Sequence, residues 1–401
     1  MFHQTRRVNL VSRVFSILIL LMAVTVTLGD EPWSRHCIDS SRVGADGVRL
    51  ADFNHDGHLD IVTGWEESGV VRLYLNPGPT KSKQTWPHCE IGKGRSPEDA
   101  VPFDIDGDGI LEVISCHEGT LKQVLVHKFA SVNKNATTGV DDNALLNPSN
   151  WSTTPISQLD GQMWMFATPI ELNESRRGIV IGSKGRQATL TLLIQPNLGE
   201  TNLDNWLQVK LRDCGWVMSI QNIDMDHDGD IDIVFSDRKS ATRAVAWLEQ
   251  PNKNAEHDLW VEHRIGATDT EPLFIEATPN RILVSTRKSN WIDFRKTENG
   301  IWEPTLFDNP RSVPFGKAIR MLGKNNIVLT ANTAADKLKL DQPGIWLRST
   351  EGDWKAIGSK NECKFDRMEL IDLDADGDLD ILTCEERQQL GVVWYENPGI
   401  K

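Results

Sequence analysis

The sequence predicts an all-β chain, a seven-bladed β-propeller closed by pairing of its N-terminal and C-terminal strands. Three observations lead there. A tryptophan-led segment recurs seven times, two apolar β-rich runs recur between those segments, and the order of units leaves a lone strand at one end and a missing strand at the other. The tryptophans are Trp33, Trp86, Trp151, Trp206, Trp260, Trp302 and Trp354, at intervals of 53, 65, 55, 54, 42 and 52 residues. Units of roughly 50 residues with four short strands match one propeller blade. The runs are β-branched and separated by Gly, Pro and Asn, with no long 3.6-residue period, which excludes a helical repeat.

Taking the chain in order, Arg6, Arg7 and Arg13 frame and precede an apolar run over residues 14–28, followed by Gly29 and the polar pair Asp30-Glu31. This reads as a signal peptide over 1–29, because the run is short of the roughly 20 residues that a membrane span needs. The mature chain, 30–401, is therefore expected to be secreted, periplasmic or held at the cell surface. No cysteine lies near the cleavage point, which argues against a lipid anchor. The remaining length of about 370 residues exceeds what one growing core supports, so several domains or a repeat is required. The net charge of −14 becomes −17 once the three signal arginines are removed, which argues against a nucleic-acid partner and for cation binding. Export permits disulfides among the six cysteines, and six allow fifteen pairings; buried free thiols are the alternative.

Within each unit, strands A and B flank a turn that is often Asp-rich, strand C ends near Asn-Pro-Gly, and strand D follows the tryptophan. The chain begins with a lone D at Trp33 and ends after a C, residues 392–399. Pairing these two closes the ring and removes an exposed edge. The longest interval holds a polar insertion, 130–150, expected as a surface loop.

Four of the seven A-to-B turns carry Asp-x-Asp/Asn-x-Asp-Gly-x-x-Asp/Glu. Oxygens at alternate positions converge as the chain curls around an ion, and the Gly permits the sharp turn. The expected side-chain ligands are Asp52, Asn54, Asp56 and Asp60; Asp104, Asp106, Asp108 and Glu112; Asp224, Asp226, Asp228 and Asp232; and Asp372, Asp374, Asp376 and Asp380. That amounts to about four structural Ca²⁺ sites. The residue after each Gly (His58, Ile110, Asp230, Asp378) is expected to offer its carbonyl, so that its side chain matters little. The loops are not EF-hands, because the twelfth position is Thr63, Ser115, Phe235 or Thr383, where a bidentate Glu is required.

With these loops, the strand after each, and the run VVWYENPG before a Trp-led strand, the chain resembles the FG-GAP/VCBS repeats of integrin-α-like propellers and of many exported bacterial proteins. The resemblance is specific in the four units with acidic loops. The turns ELNESRRG, EATPNR and MLGKNN lack the acids and match in strand pattern only. It implies a calcium-bearing propeller; members serve as adhesion or ligand-binding modules and occasionally as parts of polysaccharide-active enzymes.

Propeller ligands commonly use the face opposite the metal loops, where the B-to-C turns converge. Aligned, these turns read Trp65-Glu66, His117-Glu118, Ser183-Lys184, Asp237-Arg238, Thr286-Arg287, Ala331-Asn332 and Glu385-Glu386, with acids in units seven, one and two and bases in three, four and five, reinforced by Arg186, Lys239 and Lys288. Lys184, Arg238 and Arg287 are the candidate ligand-binding residues. Two functions follow. One is a binding or adhesion module for an extracellular acidic glycan or a protein partner. The other is a polysaccharide lyase or hydrolase acting on uronate-containing glycans, with Arg238 or Arg287 neutralising the uronate and His117 as base. Against the enzyme stand only two tyrosines, both on C strands, and His117 as a lone, exposed turn residue. No nucleotide loop, zinc spacing or Gly-x-Ser-x-Gly turn is present.

Overall fold

The computed structural model describes residues 31–130, 139–173, 176–197, 199–251, 260–311, 313–332 and 342–400; the expected signal peptide lies outside them. Among the described residues, 28 strands form seven four-stranded antiparallel sheets. Blade one is Ala45–Ala51, Asp60–Trp65, Val70–Tyr74 and His88–Lys93. Blade two is Pro97–Phe103, Glu112–His117, Val124–Phe129 and Trp151–Pro155. Blade three is Met163–Asn173, Arg176–Lys184, Thr189–Ile194 and Leu207–Asp213. Blade four is Val217–Ile223, Asp232–Asp237, Ala244–Glu249 and Val261–Gly266. Blade five is Pro272–Thr278, Arg281–Thr286, Asn290–Lys296 and Trp302–Asp308. Blade six is Gly316–Leu322, Asn326–Ala331, Ile345–Arg348 and Trp354–Ala356.

Blade seven is composite, as the terminal strands require. Phe365–Ile371, Asp380–Glu385 and Gly391–Glu396 are completed by the N-terminal strand Ser34–Asp39, in the order that places the first strand beside the last. Its register runs from Ser34 opposite Glu396 to Cys37 opposite Val393. The second strands run through the buried middle of the blades. Asp60–Trp65, Glu112–His117, Asp232–Asp237 and Asp380–Glu385 are buried at every position, because their faces meet neighbouring blades on both sides.

The D-strand tryptophans hold the loops that precede them. The indole N–H groups of Trp86, Trp151 and Trp206 donate to the carbonyls of Ser82, Leu145 and Glu200, four to six residues upstream. Residues 131–138 of the insertion lie outside the described residues. Its second half corrects the expectation of a surface loop: a one-turn helix, Asp142–Leu145, buries Leu145 among Cys89, Phe129 and Trp151. The six cysteines are unbridged in this structure, and five of them are buried. No helix among the described residues is long and apolar enough to cross a membrane.

The axis is filled rather than open. Inward side chains of the A strands meet there: Arg49 donates to both oxygens of Asp99 at 2.9 and 2.7 Å and to the Ala167 carbonyl, Arg367 donates to Glu369 at 2.7 Å, and Arg320 donates to the Ile275 carbonyl. This plug separates the metal-loop face from the face of the B-to-C turns.

Candidate functional site

The acidic loops build themselves from their own carboxylates. In the first, Asp52 accepts the amides of Asp56 and Gly57, Asn54 accepts that of Asp56, and Asp56 accepts that of His58, all within 3.2 Å. The pattern recurs at Asp104, Asp106 and Asp108, at Asp224, Asp226 and Asp228, and, at the first and fifth positions, at Asp372 and Asp376. Position four as well as the Gly at position six has positive φ, at His55, Gly107, His227 and Ala375. Carboxylate oxygens lie within 4.8 Å of one another in three trios: Asp104, Asp106 and Asp108; Asp224, Asp226 and Asp232; and Asp372, Asp374 and Asp380. Glu112, Asp228 and Asp376 lie outside their trios. Oxygens so spaced fit a hard divalent cation bound at 2.3–2.6 Å. In the first loop, Asn54 donates its amide N–H to Asp142 of the docked insertion at 2.9 Å, which leaves its oxygen facing Asp56.

The ninth residue has a second task. Both oxygens of Asp60 accept buried amides, from Phe53 and from Asn76 at the end of strand C, each at 2.8 Å. Asp232 does the same with Met225 and Gln250, and Asp380 with Leu373 and Asn397. Burial, opposed by the two amides and aided by the neighbouring acids, pushes Asp60 and Asp380 up to about 7 and Asp232 to about 6. A bound cation would remove that penalty. Cations of the chain already stand beside two loops: Lys83 is 3.1 Å from Asp374, and Arg177 is 3.5 Å from Asp104. The side chains of Asp230 and Asp378, which follow the Gly of their loops, are buried.

On the face of the B-to-C turns lies a cup of about 350 Å³. Two rings wall it. One is the second residue of the A strands, Asp46, Glu98, Met218, Leu273, Lys317 and Asp366, with Met165 at the equivalent place in the longer strand of blade three. Every A strand shifts register just there, between Asp46 and Arg49, for instance, or Phe365 and Met368. A bulge re-aims a side chain, and seven in register aim theirs at the axis. The other ring is the second member of six of the seven B-to-C pairs: Glu66, Glu118, Lys184, Arg238, Arg287 and Asn332.

The first members of those pairs do not face the cup. Trp65, His117, Ser183, Asp237, Thr286, Ala331 and Glu385 are all wholly buried. His117 is thus not the exposed turn residue expected. Its Nε2 and that of His127 both lie 2.7 Å from the Ser115 hydroxyl, and burial lowers the two imidazoles to about 4 and about 3. Tyr74 and Tyr395 are equally buried, hydrogen bonded to Asp39 and Glu362.

Lys184, Arg238 and Arg287 meet in the cup, but two of them are engaged. Lys184 pairs with Glu118, and Arg238 donates to Glu271 at 2.7 Å. Lys184, Arg238 and Lys239 also crowd Trp216, at 4.6, 4.3 and 4.9 Å from its ring centre. Arg287 stacks on Phe315 at 4.1 Å and has no ion pair among the described residues. Lys288 points elsewhere, to the Asp269 carbonyl. Two half-buried lysines sit among the acids: Lys317 is 2.5 Å from Asp366, and Lys364 pairs with Glu386. Sequence reasoning missed the A-strand ring. Its signal was the same strand position in every blade, occupied by different residue types.

Residues 52–115 match the model of the FG-GAP-like repeat. Among solved structures, the chain is similar to the WD40 β-propeller domain of Doa1, with 10% identity, 92% of this chain and 97% of that one covered, and a TM-score of 0.53. It is also similar to BBS1N from a complex with ARL6DN, with 8% identity, coverage of 92% and 99%, and a TM-score of 0.51. At such identities these likenesses speak for the fold alone. No curated protein sequence matches. The matched repeat and the closed ring of seven blades show a β-propeller that carries an FG-GAP-like repeat in its first two blades.

Proposed function

We propose that the protein is an exported, calcium-stabilised binding module whose axial cup takes an acidic glycan. The observation that carries this reading is the cup itself: a solvent-reachable cavity at the convergence of the blades, with guanidinium groups at Arg238 and Arg287 beside the aromatic faces of Trp216 and Phe315. Arginines recognise carboxylate or sulfate in bidentate fashion, and aromatic faces suit the apolar faces of sugar rings. Export rests on the N-terminal sequence. The acidic loops would hold Ca²⁺ through the carboxylates and Asn54 named above, and the ion supplies charge neutralisation. His117, the base named for the lyase alternative, is walled off from the cup, as are both tyrosines.

A glycan array with a depolymerisation screen on the calcium-loaded protein tests the reading. The expected result is acidic-glycan binding that Arg238→Glu with Arg287→Glu abolishes, without new reducing or unsaturated ends and without change in calcium-dependent melting. Binding of neutral glycans only, or cleavage, would overturn it. For calcium, ions bound only by the native loops stabilise by about 2.7 kcal/mol per site at a hundredfold excess over Kd. An unchanged melting curve in excess chelator, with metal analysis confirming removal, would refute the calcium assignment.

A further inference from the structure

The charges of the cup are unequally matched. Lys317 with Asp366, Lys364 with Glu386, Lys184 with Glu118 and Arg238 with Glu271 are ion pairs. Left over on one side is Arg287. Left over on the other are Asp46 and Glu66, whose carboxylate oxygens come within 4.8 Å of each other and of Glu98, an acid held only by a long 4.0 Å ion pair to Lys184. Glu98 is only 9% exposed and makes no hydrogen bond to a described residue; its nearest cation, Lys184, stands 4.0 Å away with its ammonium on Glu118. Burial pushes Glu98 up to about 7. Such carboxylates are costly unless a cation joins them. An ammonium has three donors, each reaching about 2.8 Å, and so can span acceptors at this spacing.

Resting on the reading of the cup as the ligand site, we propose that its ligand is zwitterionic: an amino-sugar acid whose ammonium is held by Asp46, Glu66 and Glu98 and whose carboxylate is held by Arg287. The cup's volume suits one or two sugar units, and the aromatic sector of Phe166, Trp216 and Phe315 lies on the basic side. This explains why acids as well as bases ring the mouth. A purely anionic chain would gain nothing from the acidic half and would be repelled by it.

Calorimetry on the calcium-loaded full-length mature chain separates the possibilities with three probes: muramic acid, its N-acetylated form, which keeps the carboxylate and loses the ammonium, and diglycine, which carries both charges without the ring. Muramic acid is expected to bind at least about tenfold more tightly than either. Glu98→Gln should abolish the preference over the N-acetylated form while leaving affinity for that form within about twofold or improving it. Equal affinity for the two sugars overturns the zwitterion and leaves the acidic-glycan reading standing. Tighter binding of diglycine overturns the sugar assignment. Failure of all three probes, with no acidic glycan bound on the array, overturns the reading of the cup itself. Loss of one bound calcium per chain in Glu98→Gln, measured by equilibrium dialysis without sugar, overturns the ammonium subsite in favour of a metal.

Discussion

Ala375 occupies the fourth place of its acidic loop with φ of 60°, where the first and third loops carry His55 and His227 and the second has Gly107. An L-residue there costs about 1–2 kcal/mol, and glycine returns about 0.4–1 kcal/mol of that as unfolded-chain entropy. Ala375→Gly should therefore stabilise by about 0.5–1 kcal/mol. The reverse change at Gly377, φ 93° with nothing within 4 Å of a new Cβ, should destabilise through backbone strain alone. Urea midpoints of both variants check this. The buried histidines make a second residue-scale prediction. His117 donates from Nδ1 to the Arg95 carbonyl, so its Nε2 accepts from Ser115; Ser115 then accepts from His127, whose Nδ1 accepts from Thr153. This chain is complete only with both rings neutral. The unfolded state binds protons below about 6.5 while the folded rings resist down to about 4 and about 3, so stability from this network is full above pH 6.5 and is lost as pH falls. The stability difference between wild type and His117→Asn/His127→Asn should shrink by about 2 kcal/mol per histidine between pH 7 and pH 5. A difference independent of pH refutes the neutral assignment. The comparison is made against the double variant because the buried loop carboxylates, raised in the fold, slope the other way.

At the scale of one hairpin, the ninth loop residue separates structure from ligation. Asp380→Ala would leave the amides of Leu373 and Asn397 unsatisfied in a buried turn, at a cost of about 2–5 kcal/mol, and that loss should persist in excess chelator. Asp376 is exposed and supports only the amide of Asp378, so Asp376→Ala should matter mainly when calcium is present. Equal losses for the two variants in chelator would show that the ninth carboxylate has no separate role. The spacing of Asp, Gly and Asp was legible because each loop is local and repeated, and so were the strands between them. The link from Asp60, Asp232 and Asp380 to the end of strand C was not, although the Asn-Pro and Gln-Pro dipeptides at Asn76, Gln250 and Asn397 recur in the sequence. The sequence repeats both partners without saying that they touch. The B-to-C pairs were half legible: the turn positions were right, but which member faces the axis depends on where strand B ends.

For the whole molecule, what repetition reveals and what the axis hides are complementary. Ring closure was readable because a missing strand and a spare one are properties of order alone. The plug was not, because Arg49 meets Asp99 and the Ala167 carbonyl of two other blades, and no periodic signal couples such positions. Closure itself makes the last prediction. Ser34–Asp39 covers strand Gly391–Glu396, and its side chains add specific ties: His36 lies 2.8 Å from Glu396, Arg35 pairs with Glu362, and Asp39 accepts hydrogen bonds from Arg72 and Tyr74 of blade one. A chain beginning at Asp46 would lose these ties, strand the buried Arg72 without Asp39, and expose the strand Gly391–Glu396 as an unpaired edge open to other copies. It should melt at a markedly lower temperature and self-associate, even with calcium in excess, because none of the metal loops has been touched. Adding a synthetic peptide of residues 31–44 in excess should restore part of the lost melting temperature by mass action. Light scattering with thermal melting reads both effects, and a truncated chain as stable and monomeric as the full one would show that blade seven does not depend on its borrowed strand.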